Sequence, residues 1–377
     1  MGEIARHARP GRLLVSTGAT PGSERFDTEC PSRVDRGAGA AAGLRKLPGL
    51  VRWGWRASRL AEEFAPEFLW VGNLKPAGHV AHWLWARRRI PYGLVVYGLD
   101  VALAADQAAR SRFKRRVLRR LIDDAAGTVA ISHWTRERFQ ALAAGLGLPR
   151  AAERVRTIPL GVDCNRFHPG IRSDALHARL GAGPAHWLLT VARLEPHKGI
   201  DVGLEVLARL RREGLDVGYL VAGDGPAVQN LRRRAESLGV ASAVRWFGTV
   251  PEAELPALYC LADLYLGLSR SEGVNVEGFG LALLEAQASG LPVLAGASGG
   301  TADAVADGLT GLLLSPTDIG AISQATRSLL RDRDRAQSMG RAGRARAERD
   351  FGWERVVNDL DAAATGFSAG LERRAER

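Results

Sequence analysis

The stretch Val276 to Gly296 reads VEGFGLALLEAQASGLPVLAG, and its punctuation decides the fold. Gly278 and Gly280 flank Phe279 immediately before LALLEAQAS, a run of good helix formers. Gly290 stops that run, and LPVLAG follows as a buried strand. A glycine-rich turn entering a helix leaves amide groups unpaired and turns the positive end of the helix dipole outward, a position that suits phosphate or a sugar oxygen. Glu277 stands on the loop and Glu285 one and a half turns into the helix. At a rise of about 1.5 Å per residue, one long ligand can touch both. The plainer alternative is that Glu277 caps the helix and Glu285 faces water, the usual fate of helical glutamates.

The same alternation of short apolar runs with longer helical patterns extends in both directions and reads as parallel α/β. Strands are expected in Arg12 to Thr17, Phe68 to Gly72, Tyr92 to Gly98, Gly127 to Ser132 and Val155 to Gly161. A second set is expected in Trp187 to Leu194, Tyr219 to Gly225, Val244 to Gly248, Leu264 to Ser269, Leu291 to Gly296 and Gly311 to Pro316. Two doubly wound, Rossmann-like domains follow, over residues 1–163 and 164–351, with 352–377 packing back on the first. The stretch GVDCNRFHPGIRSDALHARLGAGPAH reads as the linker, since Gly, Pro and Asp punctuate it and apolar periodicity is weak. In open α/β sheets ligands sit beyond the carboxyl ends of the strands, so the site is expected where two such domains face one another.

With 377 residues, 46% of them apolar and 25% charged, the chain has the make-up of a folded protein of two domains. No apolar run reaches the roughly 18 residues a membrane-spanning helix needs, and MGEIARHARPGR lacks the apolar core of a secretory signal. Cys30, Cys164 and Cys260 have neither metal-ligand spacing nor a paired framework, which fits a reducing cytoplasm. The net charge of +11 permits anionic partners and identifies none. Lysine occurs only at Lys46, Lys75, Lys114 and Lys198, so the excess is an arginine bias. Against that bias Lys198 stands out. In TVARLEPHKG a buried strand ends and Arg193 and Lys198 follow, a second candidate for gripping a diphosphate.

Together these residues resemble the retaining nucleotide-sugar glycosyltransferases of family 4, with their two-Rossmann-domain B-type fold. The resemblance runs from about Gly93 to Asp359, through VARLEPHKG, AGDGP, WFGTVPEAELPALY, ADLYLGLSR and the block from Glu277 to Pro316. Two glutamates separated by seven residues are part of the pattern, and the form SRSEGVNVEGFG resembles the branch with phosphatidylinositol mannoside mannosyltransferases and polysaccharide transferases. The resemblance implies that a hexosyl group, of mannose or glucose type, passes from a nucleoside diphosphate sugar to a hydroxyl of a lipid or saccharide, with retention. It implies that Arg193 and Lys198 hold the donor diphosphate, that Glu277 binds sugar hydroxyls and that Glu285 binds the ribose. Main-chain amides of Gly278, Phe279, Gly280 and Leu281 would hold sugar and diphosphate, and Val250 would flank the base. AGDGP would shape a turn. No metal or other cofactor is expected, and no nucleic acid partner.

The pattern is departed from at two places. A first strand and its glycine-rich loop have no counterpart here, so that Met1 is expected to fall inside the following helix and the first sheet to lack a strand. Such a chain could be a non-catalytic nucleotide-sugar-binding relative or a partner subunit. An epimerase on the same fold is a third reading, disfavoured because no acid pair or histidine is placed to move a proton. Secondly, Tyr97 stands where many relatives carry histidine; it can contact sugar or acceptor through its hydroxyl. The basic segments RSRFKRRVLRRLIDD and KLPGLVRWGWRASRLAEEF are expected to cover the first sheet, or to lie on the anionic inner face of a membrane. In the first, Phe113, Val117, Leu118, Leu121 and Ile122 are expected on one face.

Overall fold

The computed structural model describes residues 2–20, 22–40, 47–181 and 183–375. Lys46 at the head of the tryptophan-bearing basic segment, Ala182 in the expected linker and the last two residues of the tail lie outside them. The chain divides into two units, Met1–Pro159 with Trp353–Arg377, and Leu160–Gly352. The sequence sets the breaks after residues 163 and 351; here they follow Pro159 and Gly352.

The strands of the first unit are β1 (Leu14–Ala19), β2 (Arg33–Ala40), β3 (Leu69–Val71), β4 (Tyr92–Val96), β5 (Gly127–Ala130) and β6 (Val155–Thr157). Those of the second are β7 (His186–Val191), β8 (Val217–Ala222), β9 (Val244–Gly248), β10 (Leu264–Gly267), β11 (Val293–Gly296) and β12 (Gly311–Leu314). The second unit holds one six-stranded sheet in the order β12-β11-β10-β7-β8-β9, every pair parallel. Its middle strands are mostly apolar because helices cover both faces, and β8 is buried along its whole length. Tyr219 is the polar exception on β8. The single Thr190 hydroxyl proton goes to the Leu266 carbonyl at 2.6 Å, so the Tyr219 hydroxyl donates to Thr190 Oγ1, also at 2.6 Å. This chain of bonds joins β8, β7 and β10 across the core.

In the first unit, β3-β4-β5-β6 form a four-stranded parallel sheet, while β1 and β2 pair with each other in a separate one. The sequence reading omits β2, since RVDRGAGA has one β-branched residue, and it omits the short helix Asp174–Leu180 in the expected linker. That linker segment lies in the second unit, where Val162 N–H donates to the Phe351 carbonyl at 2.7 Å. The helix Trp353–Ala375 belongs to the first unit: Trp353 stacks on His7, and Phe367 lies edge-on to Trp70.

The basic helix Arg112–Asp123 starts at Ser111, whose hydroxyl accepts from Lys114 N–H at 3.3 Å. It buries Leu118, Leu121 and Ile122. Phe113 does not share that face and is 76% exposed, which corrects the expected stripe. At about 100° per residue it lies roughly 130° round the helix from the middle of the buried three. Among the described residues no helix is long and apolar enough to cross a membrane.

Candidate functional site

In the second unit the segment beyond the carboxyl end of β7, the segment beyond β9, and the helix Leu281–Ala288 with the loop before it carry the residues singled out in the sequence. Beyond β7 the chain runs through Arg193 to a single 3-10 turn, Pro196–Lys198, and then into the helix Ile200–Arg212. AGDGP forms a tight turn beside it: Gly223 has φ +127°, and a Cβ there would lie 1.8 Å from the Ala192 carbonyl oxygen. That turn supports the β7 end, where Leu194 N–H donates to the Asp224 carbonyl at 2.9 Å.

Lys198 Nζ meets Glu277 Oε2 at 2.6 Å, with the two side chains 21% and 20% exposed. Ser269 Oγ donates to the same carboxylate oxygen at 3.3 Å. The Glu277 carbonyl accepts from Gly300 N–H at 2.8 Å, so the residue is held at both its main chain and its side chain. Glu277 therefore is not the cap of the following helix. Gly280 occupies that position, with φ +101° and no side-chain cap; its carbonyl accepts from Leu283 N–H at 3.0 Å. Leu281, the first residue of the helix, is partly exposed, whereas the Phe279 ring is buried against Phe351, 6.1 Å between centroids. Phe279 thus has only its main chain to offer a ligand.

Arg193 is 79% exposed and pairs with Glu195 at 2.7 Å. Glu195 also lies 3.3 Å from His197 Nδ1; burial, with Lys198 adjacent, pushes the His197 pKa down and keeps the ring neutral. Glu285 does not simply face water, because Tyr259 donates to its Oε2 at 2.6 Å. Tyr259 is itself fully buried between Phe167 and Tyr265, and desolvation holds its pKa well above the ordinary phenol value. Val250 is buried just past the end of β9, the edge strand, next to exposed Thr249. The structure thus joins Lys198 to Glu277 directly and gives Arg193 and Glu285 partners of their own. Ser269, Tyr259 and Glu195 were not singled out by sequence. All three stand inside the matched runs ADLYLGLSR, WFGTVPEAELPALY and VARLEPHKG, where nothing local marks what they touch. Among the described residues no three His, Cys, Asp or Glu side chains gather as a metal cluster would.

Comparison with known proteins adds to this geometry. The family described as "Glycosyltransferase Family 4" matches residues 11–166, and "Glycosyl transferases group 1" matches residues 177–346. A GDP-mannose-dependent alpha-(1-6)-phosphatidylinositol monomannoside mannosyltransferase of Mycolicibacterium smegmatis is 36% identical over 304 residues, 79% of this chain and 76% of the relative. This chain belongs to glycosyltransferase family 4. A D-inositol 3-phosphate glycosyltransferase of Segniliparus rotundus is 37% identical over 213 residues, 55% of this chain and 46% of that one. The crystal structure of Anabaena Alr3699/HepE in complex with UDP and glucose superposes with a TM-score of 0.76 over 97% of this chain and 94% of the other, at 21% identity. The fold is accordingly that of the B-type glycosyltransferases, with two Rossmann-like domains.

On the first unit of this glycosyltransferase, Tyr97 directly follows β4 at the carboxyl edge of its sheet. Its hydroxyl pKa is pushed up to about 12 by burial, so the group is a neutral phenol. Asp100 Oδ1 accepts from Tyr97 N–H at 2.9 Å and from Gly98 N–H at 3.0 Å, which fixes the turn. The other oxygen of Asp100 is buried with no hydrogen-bond partner, and burial raises its pKa.

Proposed function

We propose that this glycosyltransferase moves a hexosyl group, mannose in the first instance, from a nucleoside diphosphate sugar to a hydroxyl of a lipid or saccharide acceptor, with retention at the anomeric carbon. The observation that carries the reading is the 2.6 Å contact of Lys198 with Glu277 beside the uncapped start of Leu281–Ala288. A diphosphate arriving there finds a cation, main-chain amides at a helix start that no side chain caps, and the helix dipole. The GDP-mannose dependence named for the mycobacterial relative favours mannose, and that relative's phosphatidylinositol mannoside acceptor favours a lipid-linked hydroxyl.

Chemically the step asks for little covalent work from the protein. The bond between the anomeric carbon and the diphosphate breaks while the acceptor hydroxyl attacks that carbon and passes its proton to the departing diphosphate oxygen. The main demand is stabilisation of the departing diphosphate, supplied by Lys198, by Arg193 and by amides from Gly278 to Leu281. Glu277 accepts from sugar hydroxyls and, through its contact with Lys198, sets the distance between sugar and ammonium. Glu285, oriented by Tyr259, takes the ribose hydroxyls, and Val250 lines the base. Tyr97 offers its hydroxyl to the acceptor on the first unit.

Association with an anionic membrane surface fits a lipid acceptor. The helix Arg112–Asp123 supplies the means, since Phe113 stands out among exposed Arg112, Lys114, Arg115 and Arg116. The deciding experiment incubates the purified chain with GDP-mannose, GDP-glucose, UDP-glucose and UDP-N-acetylglucosamine, with phosphatidylinositol mannosides or short mannosides as acceptors, and determines the anomeric configuration of the product by NMR. Transfer with an α-linked product from an α-donor supports the reading. Donor binding without transfer to any of these acceptors speaks for a non-catalytic relative, and an inverted product removes retention.

A further inference from the structure

The contact of Lys198 with Glu277 joins two segments that the sheet itself does not hold. β7 and β10 are neighbours, with Leu264 opposite Leu188 and Tyr265 opposite Leu189, but β7 ends at Val191 and β10 at Gly267. Lys198 and Glu277 both stand well past those ends, on chain that has left the ladder. Something beyond the strands must set one against the other.

Arg270 reaches both segments. Its main-chain N–H donates to the carbonyl of His197, the residue next to Lys198, at 2.8 Å. Its Nη1 donates to Asp201 Oδ1 at 2.8 Å, and Asp201 lies in the first turn of the helix that follows Lys198. Nε of the same guanidinium donates to Glu272 Oε1, also at 2.8 Å. Glu272 opens a tight hairpin, exchanging main-chain bonds of 2.9 and 3.0 Å with Asn275 around Gly273, whose φ is +58°. Asn275 then leads through Val276 to Glu277. The Ser271 and Ser298 hydroxyls meet at 2.9 Å and hold the start of the hairpin to the loop beyond β11. The two segments also run close together, since a Cβ on Gly199 would lie 2.0 Å from the Leu268 carbonyl oxygen.

Arg270 is 20% exposed and its two carboxylates 39% and 38%, and ion pairs so placed add little to stability. What the fork fixes is geometry. Nε and Nη1 leave a rigid plane in set directions, so Asp201 and Glu272 are held at one separation. We propose that Arg270 is a positioning residue, whose guanidinium, bridging Asp201 and Glu272, holds the Lys198 turn and the Glu277 loop at the separation the departing diphosphate requires. This role rests on the transfer reaction proposed above, and Arg270 acts in it through Lys198 and Glu277. An error of about 1 Å in such a placement costs on the order of 100-fold in rate.

The test compares the full-length parent, Arg270→Gln, Lys198→Ala and the double variant, with GDP-mannose and phosphatidylinositol mannosides. Arg270→Gln should lower kcat about 10- to 100-fold and leave KM for the donor within about threefold. Arg270→Lys should recover little of this, because an ammonium lacks the fixed fork that serves both carboxylates. In the Lys198→Ala background the same Arg270→Gln change should cost less than about threefold, as coupled sites behave. A kcat for Arg270→Gln within about threefold of the parent, or an equal loss in both backgrounds, overturns the proposal. Amide hydrogen exchange supplies a readout free of turnover. Arg270→Gln should speed exchange about tenfold in residues 197–201 and 272–277, with Val217–Ala222 as protected as in the parent. Unchanged exchange in either segment overturns the positioning whatever the chain transfers, and an equal rise at Val217–Ala222 assigns Arg270 to general stability and overturns it too. Faster exchange in both segments alone, beside a parent that turns over no donor, upholds the positioning and removes the transfer reading instead. Should Arg270→Gln not fold, Asp201→Asn cuts one arm of the fork and is read in its place.

Discussion

At the scale of single residues, the Lys198 and Glu277 pair concentrates the consequences. Lys198→Ala removes the preorganised cation at the leaving diphosphate and should lower kcat by about 100- to 1000-fold with an unchanged circular dichroism spectrum. Arg193→Ala should cost less, because an exposed, solvent-screened guanidinium contributes less than a partly buried ammonium. Turnover by Lys198→Ala within threefold of the parent would falsify the clamp. Asp100 supports a different prediction. Burial raises its folded-state pKa, so the folded chain holds this proton to higher pH than the unfolded chain does. Stability from this site is therefore unimpaired below the ordinary carboxylate value near 4 and declines as pH rises from there through the raised folded value. Asp100→Asn keeps an oxygen for the Tyr97 and Gly98 amides and cannot ionise. Its stability relative to the parent should accordingly improve from pH 4 to pH 7, measured by urea unfolding; a constant difference across that range would remove Asp100 as the cause.

Among the elements, the basic helix Arg112–Asp123 divides its labour by angle. Leu118, Leu121 and Ile122 face the sheet, and Tyr92 donates to the Leu121 carbonyl at 2.6 Å, so the helix is fixed in rotation. Phe113 is consequently held outward. Phe113→Ser should leave thermal stability within about 0.5 kcal/mol, as surface changes do, and weaken binding to vesicles of phosphatidylglycerol and phosphatidylcholine several-fold at low salt. Equal binding by both proteins would assign vesicle attachment to another surface. The same helix marks a limit of legibility. Its apolar residues were visible in the sequence, but only the angle separating Phe113 from the buried three tells which of them reaches the core. Strand β2 was hidden for another reason: Arg33–Ala40 is held by pairing with β1 and by the Arg36 fork on Asp27, while glycine, alanine and charge carry no strand signal. By contrast VGYLVA and VLAG declared themselves, because a strand covered on both faces must be mostly apolar. At the site the glycine turn and the order of Glu277 and Glu285 were legible as local pattern. The hydroxyls of Ser269 and Tyr259 were not, since what they touch lies 8 and 26 residues away.

For the whole molecule, the chain path sets an asymmetry between the units. The second, Leu160–Gly352, is continuous in sequence and contains its complete six-stranded sheet, together with Arg193, Lys198, Glu277 and Glu285. The first is assembled from both ends of the chain, because the helix Trp353–Ala375 supplies part of its core. Phe367 packs so closely over β5 that a Cβ on Gly127 would come within 2.4 Å of its ring, and Arg355 ties the helix to the Pro159 carbonyl at 2.7 Å. Ending the chain at Gly352 should therefore leave the second unit folded and damage only the first. Removing one buried aromatic alone typically costs about 3–5 kcal/mol, a large part of the stability of a single domain. Residues 160–352 produced alone should unfold in one cooperative transition and, on the proposed function, bind GDP with an affinity close to that of the full chain. Residues 1–352 should show that transition unchanged beside a first unit that exchanges its β4 and β5 amides rapidly. A fragment 160–352 that does not fold would mean that the second unit depends on the first. A folded fragment that binds no GDP, beside a full chain that does, would move part of the nucleotide's grip out of the unit that holds Lys198 and Glu285.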